Sequence, residues 1–139
     1  MSGANPALAV AALGLVGSRF RLHGRDPATG LDCVGVVCAA LEICGCKARV
    51  PGGYGLRNLT VDAWLPFAAQ SGLVPASGEV KPGDVLLIAL GFAQHHLAIA
   101  VDGRQVVHAH AGLRRVVLQP HDPSWQIRAT WRMAPDRES

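Results

Sequence analysis

One cysteine stands where a protein chain can activate a thiol. Cys33 follows Asp32 at the start of residues 32–44, whose apolar residues recur at helical spacing and which Gly45 ends. Unpaired amides and the helix dipole at an N-terminus favour negative charge, so this position is predicted to lower the thiol pKa. The backbone N–H of Cys33 is also a candidate oxyanion donor. A buried helical cysteine with no chemical role fits the same pattern.

Two histidines in the second half of the chain are candidates for the base that such a thiol needs. An imidazole base requires a partner on its other ring nitrogen, which fixes its tautomer and direction. Asp102 and Gly103 are typical of a hairpin turn. A three-residue loop of residues 101–103, with Gly103 in the left-handed conformation, would pair His96 directly with His108. A two-residue loop would separate the rings onto opposite faces of the sheet, and two unrelated surface histidines remain an alternative.

The elements that position these residues are predicted as helices first and strands second. Helices are predicted at residues 7–16, 32–44 and 61–71, the first capped by Asn5 and the third by Thr60. Apolar and β-branched runs predict strands at residues 85–89, 96–101, 104–109, 114–118 and 126–131. Residues 18–30 are interpreted as a loop or an extended arm. This order predicts an α+β fold with helices packed on one antiparallel sheet.

Length and composition indicate one folded domain over residues 1–139. Hydrophobic residues make up 50% of the chain and charged residues only 17%, which excludes a disordered chain. The formal net charge is +3, and arginines concentrated in the last third predict a mildly basic face. No basic run with interleaved aromatic residues supports nucleic acid as a partner, so none is expected.

The cysteines and histidines do not form a recognised metal motif. All four cysteines fall within residues 33–46, where pairing between them is geometrically poor, so free thiols in a reducing compartment are expected. Neither Cys44 with Cys46 nor His108 with His110 has the paired spacing of a zinc finger or ribbon. No metal and no other cofactor is therefore expected, and the cysteines other than Cys33 are interpreted as core or helix-end thiols.

No export signal or membrane span is predicted. Residues 7–16 are apolar, but no Lys or Arg precedes them and they are too few to cross a bilayer. They are interpreted as a core helix. The protein is accordingly expected to be made in the cytoplasm without a signal peptide.

Several segments carry motifs that occur together in one enzyme family. Residues 24–37 read GRDPATGLDCVGVV, residues 81–88 KPGDVLLI, residues 96–103 HLAIAVDG and residues 107–109 VHA. In this order they resemble the motifs of NlpC/P60 peptidases: Asp-Cys-Ser-Gly-Leu-Val at the nucleophile, a Pro-Gly-Asp-Leu strand, a His-Val-Gly-Ile-Tyr hairpin and a His-Ala strand. The resemblance extends from about residue 6 to residue 132.

The resemblance implies a papain-like core and assigns the catalytic roles. Cys33 is implied as the nucleophile, His96 as the general base and acid, and His108 as the polar residue that orients His96. Asp32 and Gly35, which belong to the nucleophile motif, are predicted to lie at the substrate. Gly35 would let another chain or a substrate approach closely.

Three further residues are predicted to contact substrate. His110 shares a strand face with His108 if side chains alternate, so it is expected to line the cleft. Phe20 stands where many family members have Tyr, and it lacks a hydroxyl to donate. Val34 replaces the usual Ser near the substrate's amino end, and His23 stands where Gly is common. These departures bear on substrate detail more than on catalysis.

The family's usual substrate implies cleavage of a peptide bond in bacterial peptidoglycan, commonly between γ-linked D-glutamate and diaminopimelate. The compact chain and its Asp-Cys-x-Gly-Val-Val and Asp-Gly-Arg-x-x-x-His-Ala patterns resemble peptidases encoded with phage tails and gene-transfer-agent particles. Delivery to the cell wall by a phage-like tail is therefore expected, with tail-tip or baseplate proteins as partners. Two alternatives remain: an inactive structural tail component that kept the fold, and an acyltransferase or other amidase on it.

Overall fold

Both described helices precede the strands of the main sheet, as the order of the sequence patterns predicts, while a short two-stranded hairpin lies between the helices. The computed structural model describes residues 6–46, 68, 71–91 and 94–133. The helices are α1 (Pro6–Leu13) and α2 (Cys33–Ile43). The strands are β1 (Arg25–Asp26), β2 (Gly30–Leu31), β3 (Leu73–Pro75), β4 (Val85–Gly91), β5 (Gln94–Ala100), β6 (Gln105–His110), β7 (Arg115–Pro120) and β8 (Gln126–Met133).

Six of these strands form one antiparallel sheet in the order β3-β8-β4-β5-β6-β7. Strands β4 to β8 confirm the five strands predicted from the sequence. The predicted α+β class is also confirmed. Strand β3, which is short, ends at Pro75 and pairs with the distant β8, was not predicted from the sequence. Neither was the hairpin of β1 and β2 inside the arm. The predicted third helix lies outside the described residues, apart from helical Ala68 and the turn at Ser71 and Gly72.

Helix α2 begins at Cys33, the second of the two starts, Asp32 or Cys33, that the sequence predicted, because Asp32 caps it. The Asp32 carboxylate accepts a 2.8 Å hydrogen bond from the Gly35 amide, which satisfies one of the unpaired donors of the first turn. Cys44 is the C-cap, and Gly45 follows with a φ of 83°, the left-handed conformation that favours glycine. Every residue from Cys33 to Leu41 is buried.

The main core lies between the helices and the sheet. Buried residues of α1 and α2 pack there with Leu97, Ile99 and Val107 of the central strands. A second, smaller cluster is formed by alternate residues of β4, β5 and β6, with Trp125 packed against it. Strand β5 is thus buried on both faces, which explains its continuous apolar run after His96.

An ion pair explains the Asp of the KPGD motif. Asp84 is fully buried, and its two carboxylate oxygens accept hydrogen bonds from the Arg132 guanidinium at 2.7 and 2.8 Å. The amide of Lys81 donates a third hydrogen bond to it, at 2.9 Å. Because a buried carboxylate needs its lone pairs satisfied, this network holds the start of β4 against the end of β8.

The described helices and cysteines bear on two further expectations. No helix among the described residues is both long enough and apolar enough to cross a membrane. All four cysteines are free, as expected from their spacing.

Gly35 is predicted to be required for the packing of α2 against the arm. A Cβ atom built on Gly35 would lie 2.1 Å from the Gly24 carbonyl oxygen, so a segment of the same chain makes the close approach that the sequence suggested. Gly35→Ala should therefore lower the free energy of unfolding by about 1–3 kcal/mol, measured by chemical denaturation.

Gly103→Ala is the matched control for this prediction. Its added Cβ would meet no described atom closer than the Val80 carbonyl oxygen, at 3.8 Å. The substitution should leave the free energy of unfolding nearly unchanged. Equal losses in the two variants would contradict the steric argument.

Candidate active site

The Cys33 thiol is buried at the first residue of α2. Only 1% of the residue is exposed. Burial raises the pKa of this thiol to about 12, and the negative charge of Asp32 acts in the same direction. Hydrogen bonds from the amides of Leu97, Val34 and Cys33 lower the pKa, but by less. The expectation of a lowered thiol pKa is therefore wrong, because desolvation outweighs the helix terminus.

Those amides nevertheless locate the sulfur. A hydrogen bond from the Leu97 amide places it beside β5, where Leu97 directly follows His96 in the chain. The amides of Cys33 and Val34 belong to the first turn of the helix, where backbone N–H groups have no partner within the helix. Negative charge that develops at or near the sulfur during a reaction therefore has backbone donors available.

The two predicted histidines are in direct contact. Nε2 of His96 and Nδ1 of His108 are 2.6 Å apart, and the ring planes are nearly perpendicular, with centroids separated by 4.8 Å. A hydrogen bond of this length fixes the direction of both imidazoles. The predicted meeting of the two rings is thus confirmed.

The register that brings the rings together differs from the one predicted. Ile99 pairs with Val107, and Ala100 with Val106, so His96 and His108 are diagonal neighbours and not directly opposed. A shift of two residues keeps both side chains on one face, and diagonal neighbours remain within reach of long side chains. The direct pairing of His96 with His108 is therefore wrong, while the shared face is right.

The turn explains this register. The Asp102 carboxylate accepts hydrogen bonds from the amides of Arg104 (2.7 Å) and Gln105 (2.9 Å), and Val101 pairs with Gln105 through its backbone. Asp102 thus caps the loop with its side chain, as Asp commonly does in turns. Gly103 does not adopt the predicted left-handed conformation.

Burial keeps both imidazoles neutral. The pKa of His96 is lowered to about 3, first by desolvation and then by the neighbouring His108 and His110. Desolvation also lowers the pKa of His108, against a hydrogen bond with Gln119 that raises it. At neutral pH the site therefore holds a neutral thiol and neutral imidazoles, which suits general-base transfer of the thiol proton during attack.

A cavity of about 390 Å³ joins these groups. Five predicted site residues line it: Cys33, His96, His108, His110 and Phe20. The ring of His110 lies 5.7 Å from that of His108. The volume is within the usual range for ligand pockets.

Three predicted substrate contacts do not line this cavity. Val34 is fully buried in the core. Gly35 faces the Gly24 carbonyl. Asp32 is fully buried and accepts hydrogen bonds from the amides of Gly35 and His23 and from Arg25. These residues build the helix start, and their predicted contact with substrate has no support in their placement.

His23 departs from the usual Gly with a visible consequence. It has a φ of 63°, the left-handed region, and from that conformation its amide donates a 2.8 Å hydrogen bond to Asp32. The chain thus keeps the backbone shape that glycine adopts easily, at some conformational cost.

The cavity also contains residues to which the sequence analysis gave no role. Gln119 accepts a hydrogen bond from His108, with 2.5 Å between Oε1 and Nε2. The indole of Trp125 packs edge-on against His108, with centroids 5.7 Å apart. His95 and Asp122 also line the cavity. Gln119 and Trp125 had no motif to mark them, because the sheet register and the following loop bring them to His108.

The described residues offer little to a metal ion. No group of three or more His, Cys, Asp or Glu side chains among them is arranged to hold one.

The fold matches solved structures of NlpC/P60 domains. The NlpC/p60 domain of the peptidoglycan hydrolase SagA superposes with a TM-score of 0.57 and 24% identity, over 91% of this chain and 98% of that one. NlpC2 from Trichomonas vaginalis gives a TM-score of 0.69 with 17% identity, over 98% and 49% of the two chains. A lipoprotein-like member of the NLP/P60 family from Staphylococcus aureus gives 0.64 with 17% identity, over 94% and 41%.

These matches define the class of structure. The chain has the papain-like α+β fold of NlpC/P60 domains, as the sequence motifs implied. The chain spans less than half the length of the second and third structures. No protein-family model matches it, and no curated protein matches it in sequence.

The perturbed groups predict how stability depends on pH. Because the pKa of His96 falls from 6.5 to about 3 on folding, the unfolded chain binds a proton between these values that the folded chain does not. The free energy of unfolding should therefore decrease as pH falls from about 6.5 towards 3. The pKa values of the Cys33 and Cys38 thiols are raised from 9.0 to about 12, so the free energy of unfolding should also decrease as pH rises above 9.

Chemical denaturation at a series of pH values measures this profile. Maximum stability is expected between about pH 6.5 and 9, and His96→Gln should flatten the acid side relative to wild type. An acid slope of equal steepness in the two proteins would show that His96 is not held neutral by folding.

Proposed function

We propose that the protein is a cysteine peptidase that cleaves an amide bond in the stem peptides of bacterial peptidoglycan. The observation that supports this most directly is the placement of Cys33 and the hydrogen-bonded His96 and His108 around one cavity. A thiol at a helix start, an imidazole and a second residue on that imidazole are the parts of a nucleophile, base and orienting group.

In the proposed mechanism His96 removes the Cys33 proton as the sulfur attacks the substrate carbonyl carbon. Attack and proton transfer are coupled because both groups are neutral beforehand. Backbone N–H groups at the start of α2 stabilise the oxyanion. His96 then protonates the leaving amine, and water attacks the thioester to release the acyl product and restore the thiol. His108 holds His96 in place throughout.

Peptidoglycan as substrate is supported by the fold match to a domain of a peptidoglycan hydrolase. We propose the bond between γ-D-glutamate and diaminopimelate as the one cut. Asp122 lines the cavity, and its pKa is lowered by hydrogen bonds from the backbone and side chain of Ser124. The ionised carboxylate is a suitable partner for an amino group of such a peptide.

We further propose that a phage-like tail delivers the enzyme to the wall. Support comes from the motif patterns around Cys33 and His108 described above. Mass spectrometry of purified tail particles should detect the chain, and its absence from particles that infect normally would contradict the delivery route.

The alternative is an inactive structural component that kept the fold. One observation favours it: Cys33 is almost completely buried and its pKa is raised to about 12. Catalysis by this residue thus requires His96 to act at the moment of attack. An acyltransferase or other amidase on the same fold would differ from a peptidase only in its products.

Cys33→Ala should abolish cleavage of purified stem peptides, because it removes the attacking atom. Cys38→Ala is the control, since Cys38 is also buried in α2 but does not line the cavity. Muropeptide mass spectrometry reports both activity and the bond cut. His108→Ala should retain more activity than Cys33→Ala, because an orienting group costs less to lose than the nucleophile. Wild-type rates for Cys33→Ala would exclude the proposed nucleophile.

The alkylation rates of Cys33 and Cys38 distinguish an active enzyme from an inactive structural component. Burial raises the pKa of each thiol to about 12, so ionisation alone does not distinguish them. A small chloroacetamide should alkylate Cys33 faster than Cys38 at pH 7.5 because the cavity and His96 assist it, and His96→Ala should remove the difference. Peptide mapping of the alkylated protein measures both rates. Equal rates in wild type would favour the inactive component.

A further inference from the structure

A line of hydrogen bonds runs across three strands behind the candidate nucleophile. His96 on β5 contacts His108 on β6 at 2.6 Å, and His108 contacts the Gln119 amide oxygen on β7 at 2.5 Å. His108 uses one ring nitrogen for each contact. The second imidazole is therefore fully engaged, and its protonation pattern is tied to that of its two neighbours.

The amide oxygen sets the direction of this line. An amide oxygen can only accept a hydrogen bond, so Nε2 of His108 must carry the proton that it donates to Gln119. In the neutral ring Nδ1 of His108 is then an acceptor, which requires Nε2 of His96 to be the donor. The unprotonated nitrogen of His96 is consequently Nδ1. This leaves His96 with one basic nitrogen that is not used in the line.

The reverse orientation would disable the base. If the Gln119 amide nitrogen faced His108, it would donate to Nε2, and His108 would carry its proton on Nδ1. His96 would then accept on Nε2 and hold its proton on Nδ1, with no free basic nitrogen. The direction of the line thus decides whether His96 can take a proton from a thiol.

We propose that Gln119 is a positioning residue, which fixes the tautomers of His108 and, through it, of His96 so that His96 has a free basic nitrogen. This rests on the proposed function for its consequence in catalysis, but the tautomers themselves are a property of the free protein. The sheet register supports the assignment: Gln119 pairs with Val106, so it is the diagonal neighbour of His108 on β7.

Packing around His108 favours a fixed orientation of its ring within the line of hydrogen bonds. The indole of Trp125 lies edge-on to the imidazole, and only 4% of His108 is exposed. Because His108 is almost fully buried, loss of the Gln119 oxygen leaves Nε2–H of His108 without its protein partner. The two tautomers of His108 would then be closer in free energy.

Nitrogen-15 NMR of the histidine rings in the wild-type protein at neutral pH tests this directly, because protonated and unprotonated ring nitrogens have well-separated shifts. The expected result is a protonated Nε2 and an unprotonated Nδ1 in His108, with a protonated Nε2 in His96. A proton on Nδ1 of His108 with Nε2 bare would overturn the proposal, whatever the protein's activity.

Gln119→Met, which keeps the length of the side chain without an amide, extends the test. His108 should become a mixture of tautomers, and kcat for stem-peptide cleavage should fall about three- to tenfold, the size of one hydrogen bond, with KM nearly unchanged. Gln105→Met, a change on the neighbouring β6 outside the cavity, should alter neither property. Unchanged His108 shifts in folded Gln119→Met would overturn the proposal.

The NMR result and the kinetic result can each contradict one proposal without contradicting the other. If the wild-type protein cleaves no stem peptide but its histidines have the expected tautomers, the proposed function is wrong and the role of Gln119 in setting tautomers stands. If cleavage occurs and the tautomers are the reverse of those expected, the peptidase assignment stands and the role of Gln119 does not.

Discussion

The buried carboxylate of Asp32 holds together the segments that bring the thiol to the sheet. It caps α2 through the Gly35 amide, accepts a hydrogen bond from the His23 amide, and pairs with Arg25 at 3.1 Å. A fully buried carboxylate without these partners would be too costly to ionise, so the arm and the helix start must fold together. The position of Cys33, and with it the geometry of the cavity, depends on this one group.

Desolvation gives the site its chemical character. The same burial that orders the nucleophile and base also removes the charge from both, since it raises the pKa of Cys33 and lowers that of His96. A preformed ion pair of thiolate and imidazolium would have to overcome this desolvation. The arrangement is better suited to a base that acts while the sulfur attacks, with the amides at the helix start ready for the negative charge that develops.

The sheet contributes the second constraint, which is directional. Three neighbouring strands each supply one polar side chain, His96, His108 and Gln119, and the contacts between them run along diagonals of the ladder. The resulting order of donors and acceptors determines which nitrogen of His96 is basic.

Local patterns in the sequence determined the elements and the candidate residues. The helical spacing after Cys33, the stop at Gly45 and the β-branched runs after residue 84 predicted α2, the five strands and their α+β arrangement, because helix ends and side-chain periodicity depend on near neighbours. The motifs around Cys33, His96 and His108 identified the three candidate residues, because each motif is a short run of neighbouring residues.

The tertiary structure decided what depends on distant pairing and on solvent exclusion. The Asp102 side chain selected a register two residues from the predicted one, and that register brought Gln119 to His108. Packing places Asp32, Val34 and Gly35 at the start of α2 and outside the cavity. Burial of Cys33 reversed the expected direction of its pKa shift, because desolvation is set by the whole surrounding core and not by the helix end alone.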